Sequence, residues 1–262
     1  PLFAVLREVL RILLLVIGQK WTAVDADMLE KYCCLLGKIT ERYEPVHSVL
    51  LELDAPEVLA HVVRTHPEDF NIVKEAMWPL AYLKGAVSVA QVLSDPELSS
   101  KNCIVRAAVR TLSRLPDCKY PDVEGALRWS DRLKMAEVVV ATMTQHPGDV
   151  DLCYFSCSAL GSLLSSWTPD VVHTEAASIL PIIFKSMRAD ISRAELQTGA
   201  AYAISSIVPG NAPAAAVVRA EENAALLSRV LATHSGEPRI RRSLAKVVAC
   251  TEGLPGVMHM LA

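Results

Sequence analysis

The feature that most constrains this chain is a spacing. Stretches that read as long helices open at Asp27, Phe70, Lys101, Val150, Ala194 and Pro238, so the steps between them are 43, 31, 49, 44 and 44 residues. A mean step of about 42 residues belongs to repeat architectures whose unit is a group of helices, and lies outside the shorter units of roughly 33 to 34 residues. The adjoining steps of 31 and 49 mark one irregular or degenerate unit around residues 86–130.

The punctuation between helices recurs as well. In the clearest unit, Leu133 to Gln145 leads through His146-Pro147-Gly148-Asp149 into Val150 to Ser165. An earlier unit runs Pro56 to Thr65, then His66-Pro67-Glu68-Asp69, then Phe70 to Leu83. Proline stops a helix because it lacks a backbone N–H, and Asp69 and Asp149 stand where a carboxylate caps the next helix. Shorter helices are expected ahead of these pairs at Glu44 to Asp54, Asp122 to Arg132, Thr168 to Ala176 and Pro213 to Ala220. Three helices per unit is the resulting pattern.

Composition agrees with a helical protein. Hydrophobic residues are 52% of the chain and aromatics 5%, so the apolar surface is mostly Leu, Val, Ala and Ile. No Asn-Gly or Asp-Gly turn separates alternating apolar runs, which argues against a sheet. A length of 262 residues exceeds one ordinary core, and repetition accounts for it as a single repeat domain over residues 1–262.

The segment Met135 to Leu164 (MAEVVVATMTQHPGDVDLCYFSCSALGSLL) and its echoes resemble armadillo repeats, in which a second helix, a short acidic turn and a third helix follow one another. The resemblance covers most of residues 24–252. It implies an all-α, right-handed armadillo-like solenoid of about five to six repeats, with the third helices lining a concave face. The nuclear-import adaptors of that family hold basic peptides with a Trp and an Asn four residues later on successive third helices. The corresponding pairs here are Cys34 and Lys38, Trp78 and Tyr82, Arg110 and Arg114, Ser158 and Ser162, and Tyr202 and Ser206. Only Trp78 matches, so binding of import signals is not carried over. Read on their own chemistry, Lys38, Trp78, Tyr82, Arg110 and Arg114 describe a mildly basic, aromatic half-groove suited to an acidic or extended segment, and Ser158, Ser162, Tyr202 and Ser206 a smaller second half. The plainer reading is ordinary solvated side chains. Pro79, inside a third helix, is expected to kink it.

A second basic feature, Arg239, Arg241, Arg242 and Lys246, lies along the last long helix and suits phosphate or acidic protein, although such runs are more often simply solvated. The net charge of −3 and a pI near 6.2 supply no footprint for nucleic acid.

Enzyme signatures are missing from the sequence: no Gly-rich phosphate loop, no His-Glu-x-x-His and no Gly-x-Ser-x-Gly elbow. His66, His146 and His234 read as turn residues, and no metal or cofactor is expected. Seven scattered cysteines do not form a secreted disulfide framework, and Cys153 and Cys157, on one helical face, read as two buried thiols. An intracellular, reducing compartment follows, cytoplasmic rather than organellar. Arg7, Glu8 and Arg11 interrupt the apolar stretch over residues 1–17, so no transmembrane segment is expected. The chain opens on Pro1 with no initiator Met, so a processed or partial chain is the expectation.

These readings converge on a non-catalytic protein–protein interaction scaffold, a structural subunit or adaptor whose partners are other proteins in a multi-subunit complex. A high mean hydropathy of +0.29 favours the embedded subunit, and the apolar ends favour a fragment or an assembled subunit over an independent adaptor. The alternatives are the armadillo regulatory portion of a larger protein whose catalytic part lies elsewhere, and, more remotely, a helical enzyme with a concave-face site.

Overall fold

A computed structural model of the chain describes residues 2–19, 25–84, 89, 92–93, 95–114, 129–164 and 177–251. Among these the chain is all-α and holds no strand. It divides into two compact units, Pro1–Leu115 with Asp122–Asp131, and Arg132–Ala262 with Pro116–Pro121.

The first unit contains α1 (Leu2–Ile17), α2 (Ala26–Arg42), α3 (Val46–Glu52), α4 (Ala55–Thr65), α5 (Phe70–Lys84), α6 (Pro96–Ser99) and α7 (Asn102–Arg114). Helix α5 packs on α2 on one side and on α7 on the other, and α4 packs on both α1 and α5. The short α3 bridges α2, α4 and α5. It is held to α2 by His47, whose Nε2 donates to the carbonyl of Thr40 at 2.6 Å. The chain leaves α3 through Asp54, whose φ of 54° lies in the left-handed region, and Pro56 then starts α4 in the first turn, where its missing N–H costs nothing. The core of this unit is aliphatic: Leu29, Leu36, Leu50, Leu59, Ile72, Met77, Ile104 and Leu112 are fully buried.

In the second unit follow α8 (Trp129–Gln145), most of which belongs here, α9 (Val150–Leu164), α10 (Leu180–Ala189), α11 (Ala194–Ile207), α12 (Ala212–Arg219), α13 (Glu221–Thr233) and α14 (Pro238–Cys250). Helix α11 lies between α9 and α14, α10 packs on α9, α11 and α12, and α13 packs on α12 and α14. Within each unit the long helices expected from the spacing therefore pack in sequence order: α2 on α5 on α7, and α9 on α11 on α14. The short helix expected at Pro213 to Ala220 is α12, and that at Glu44 to Asp54 is α3. Those expected at Asp122 to Arg132 and Thr168 to Ala176 lie outside the described residues, except that Trp129 to Arg132 open α8; much of the irregular stretch 86–130 lies outside them too.

The backbone hydrogen bonds of the turns recur. At each of His66, His146 and His234 the backbone N–H closes the preceding helix onto the carbonyl four residues back. Each of these histidine carbonyls accepts from a backbone N–H three residues on, that of Asp69, Asp149 or Glu237, at 3.0 or 3.1 Å. The Asp69 carboxylate then caps α5 by accepting from Asn71 and Ile72 N–H, and the Asp149 carboxylate caps α9 by accepting from Leu152 N–H. Charged residues tie one turn to the next: Lys101 to Glu68 at 2.7 Å and Arg193 to Asp151 at 2.9 Å, exposed pairs that contribute little to stability.

His234 adds a link that a turn residue alone does not supply. Its ring is buried and its Nε2 donates at 2.7 Å to the carbonyl of Ile191, 43 residues earlier in the chain. Loss of that donor strands a carbonyl beneath a buried turn. His234→Ala is therefore expected to lower stability by about 1 kcal/mol, read from the midpoint of urea unfolding at unchanged slope.

Candidate functional site

Helix α5 presents Lys74, Trp78 and Tyr82 at intervals of four residues, so the three share a face, and each is half-buried. The neighbouring α7 presents Arg110, half-buried, and Arg114, exposed, by the same interval. Between them lies a shallow, open depression, lined by Lys74, Trp78, Ala81 and Tyr82 of α5 and by Arg110, Thr111 and Arg114 of α7. Four of the five residues expected on the basic half-groove, Trp78, Tyr82, Arg110 and Arg114, thus meet at one place. The fifth, Lys38, is exposed on α2, outside that lining.

Two packing features fix Trp78. Gly37 of α2 faces it: a Cβ there would lie 3.7 Å from Trp78 Cγ and 3.5 Å from Pro79 Cδ, so α2 seats directly against the Trp78-Pro79 step. Helix α5 runs through Pro79 without interruption from Phe70 to Lys84. On the other side, the guanidinium carbon of Arg114 lies 5.5 Å from the Trp78 ring centroid, a cation–π contact worth about 0.5 to 1 kcal/mol at an exposed site. A guanidinium laid on a ring keeps its edge N–H groups available and loses little further freedom when it meets a carboxylate.

Two residues that spacing did not single out complete the electrostatics. Lys74 Nζ lies 5.9 Å from the Phe70 centroid and 2.9 Å from Oε1 of its neighbour Glu75. Glu75 is buried, and its other oxygen, Oε2, has no hydrogen-bond partner among the described residues. Glu75 also faces the α2 cysteines. Burial, reinforced by that carboxylate, pushes the Cys33 thiol up to about 12 and also raises Cys34, which nearby Lys38 partly opposes. Both are therefore protonated at neutral pH and lack thiolate reactivity. Lys74 was legible in principle, one helical step before Trp78; Glu75 was not, because a carboxylate in mid-helix reads as solvated.

The remaining positions expected on the groove lie in the second unit. Ser158 and Ser162 of α9 and Tyr202 and Ser206 of α11 are all half-buried. Tyr202 lies over Gly161 of α9, Ser158 Oγ lies against Gly199 of α11, and Ser206 Oγ donates to the Tyr202 carbonyl at 3.0 Å. Ser158, Tyr202 and Ser206 thus make contacts within or between α9 and α11. The basic run on α14 stands in solvent: Arg239, Arg241, Arg242 and Lys246 are each exposed, opposite the buried Ile240, Leu244, Val247 and Val248.

Cys153 and Cys157 are buried in α9, and desolvation raises both thiols. Among the described residues no three His, Cys, Asp or Glu side chains are grouped to hold a metal ion, and no helix is long and apolar enough to cross a membrane. The lining of the depression offers cations, two aromatic rings and a threonine. That set is chemically suited to anions and flat apolar groups. Comparison with protein-family models, curated proteins and solved structures returns no significant match.

Proposed function

We propose that this chain is a non-catalytic protein–protein interaction module of armadillo-like repeats, and that it receives an extended acidic segment of a partner protein at Trp78, Tyr82, Arg110 and Arg114. The observation that carries the reading is the depression between α5 and α7, where two aromatic faces and three cations meet. The repeated turns, the packing of α2 on α5 on α7 and of α9 on α11 on α14, and a unit of about 42 residues support the repeat architecture. An extended peptide fits such a face because its side chains alternate: carboxylates reach the guanidinium groups while the backbone lies along the rings.

The test uses a short fluorescein-labelled poly-Glu peptide at low salt, with poly-Lys as the control, followed by anisotropy. Poly-Glu binds and poly-Lys does not. Arg110→Glu with Arg114→Glu weakens poly-Glu binding at least about 10-fold, since each charge-assisted contact contributes about 1.5 to 3 kcal/mol, while circular dichroism is unchanged. Arg239→Glu with Arg242→Glu leaves binding as it was. If the α14 pair abolishes binding and the α7 pair does not, the depression is not the site.

A further inference from the structure

Helix α1 is apolar on both sides. Leu10, Leu13, Leu14 and Ile17 are buried in the first unit. On the opposite side Val5, Val9, Ile12 and Leu15 are 61%, 55%, 51% and 55% exposed. Among the described residues the large exposed hydrophobics all fall within the first 51, and half of them are on this one helix. Arg7, Glu8 and Arg11 are exposed on this helix as well, but a row of large exposed hydrophobics along one helix marks a contact surface.

The exposed stripe has a register. Val5, Val9 and Ile12, with half-buried Val16 at the edge of the stripe, recur at steps of four, three and four, the spacing that keeps a seam facing a partner helix. The seam is also self-complementary. In an antiparallel pair of α1 helices, Val5 meets Val16 and Val9 meets Ile12, and each contact occurs twice about the two-fold axis. Beside the seam, Glu8 and Arg11 form an ion pair at 2.6 Å. The antiparallel arrangement sets Glu8 of one copy near Arg11 of the other, so four charges alternate in sign. A parallel arrangement sets Glu8 against Glu8 and Arg11 against Arg11.

We infer that α1 is a homodimerisation helix, pairing antiparallel with α1 of a second copy of this chain through Val5, Val9, Ile12 and Val16. The inference is independent of the peptide site. One helix pair of 16 residues is small beside the roughly 800 Å² per partner of a standard interface, so the dimer is expected in the micromolar range.

Sedimentation velocity on the full chain, under reductant so that no disulfide links the copies, reads the outcome between about 1 and 200 µM. The wild type shifts from monomer toward twice its 28.5 kDa mass. Val9→Glu with Ile12→Glu stays monomeric throughout, with helicity and melting temperature retained because both side chains are exposed; Val9→Lys, a milder variant, weakens the dimer at least about 10-fold. At low salt Glu8→Arg weakens it about 5- to 10-fold, and adding Arg11→Glu restores it, because the swap returns opposite charges to contact. A wild type that remains monomeric to the highest concentration, or a dimer indifferent to the Val9 and Ile12 changes, overturns the inference. A dimer that responds to Val9 and Ile12 but not to the charge swap overturns the antiparallel pairing.

Discussion

Phe184→Ala is expected to lower the stability of the protein by about 3 to 5 kcal/mol, a large share of the roughly 5 to 15 kcal/mol that holds a domain folded. Phe184 is the largest fully buried side chain among the described residues. It sits on α10 with Leu180, Ile183 and Met187, all buried, where that helix meets α9, α11 and α12. Truncation removes apolar area and leaves a cavity between helices fixed by their own packing. Urea unfolding followed by circular dichroism measures the loss. Phe184→Leu, which keeps most of the volume, should lose less than half as much. A midpoint unmoved by Phe184→Ala would mean that α10 does not pack as described.

The helix starts were legible because they are written in local chemistry. Phe70, Val150, Ala194 and Pro238 open their helices where the turn pattern placed them, and Asp27 and Lys101 differ from the observed starts by one residue. A proline and a capping carboxylate act within three or four residues, so the sequence alone carries that information. Trp78, Tyr82, Arg110 and Arg114 came together for a related reason: positions four apart on helices that pack side by side share a face. The fate of Ser158 and Tyr202 was not legible. Aligned with Arg110 and Trp78, they look equivalent, yet they are taken up in packing because α9 and α11 approach through glycines on the facing helix. How near two helices come depends on pairs of residues some forty positions apart, and periodicity within one helix does not encode it. His234 makes the same point: its place in the turn was readable, its hydrogen bond to Ile191 was not. On α1 the apolar character was plain, whereas which side the core would claim depended on α2 and α4.

Those two glycines support the second large prediction. In isolation, alanine in place of glycine stabilises a helix by about 1 kcal/mol, so the naive sign is favourable. The surroundings reverse it. A Cβ on Gly199 would lie 2.8 Å from Ser158 Oγ and 2.9 Å from the backbone oxygen of Tyr154. A Cβ on Gly161 would strike Cδ1 of the Tyr202 ring and lie 2.6 Å from its Cε1. Overpacking costs about 1 to 3 kcal/mol, and contacts this short fall at the upper end, so each single variant is expected to lose about 2 kcal/mol net. The two sites then separate under a second change. Tyr202→Ala removes the obstacle above Gly161, so in that background Gly161→Ala should become neutral or favourable, exposing the helix propensity that the ring had masked. Tyr154→Ala leaves the Tyr154 carbonyl in place, and a main-chain atom of α9 cannot rotate away, so Gly199→Ala should stay destabilising beside it. Equilibrium unfolding of the two double-mutant cycles measures both couplings. Equal rescue at the two sites would mean that side chains alone, and not the approach of the α9 backbone to α11, set the distance between these helices.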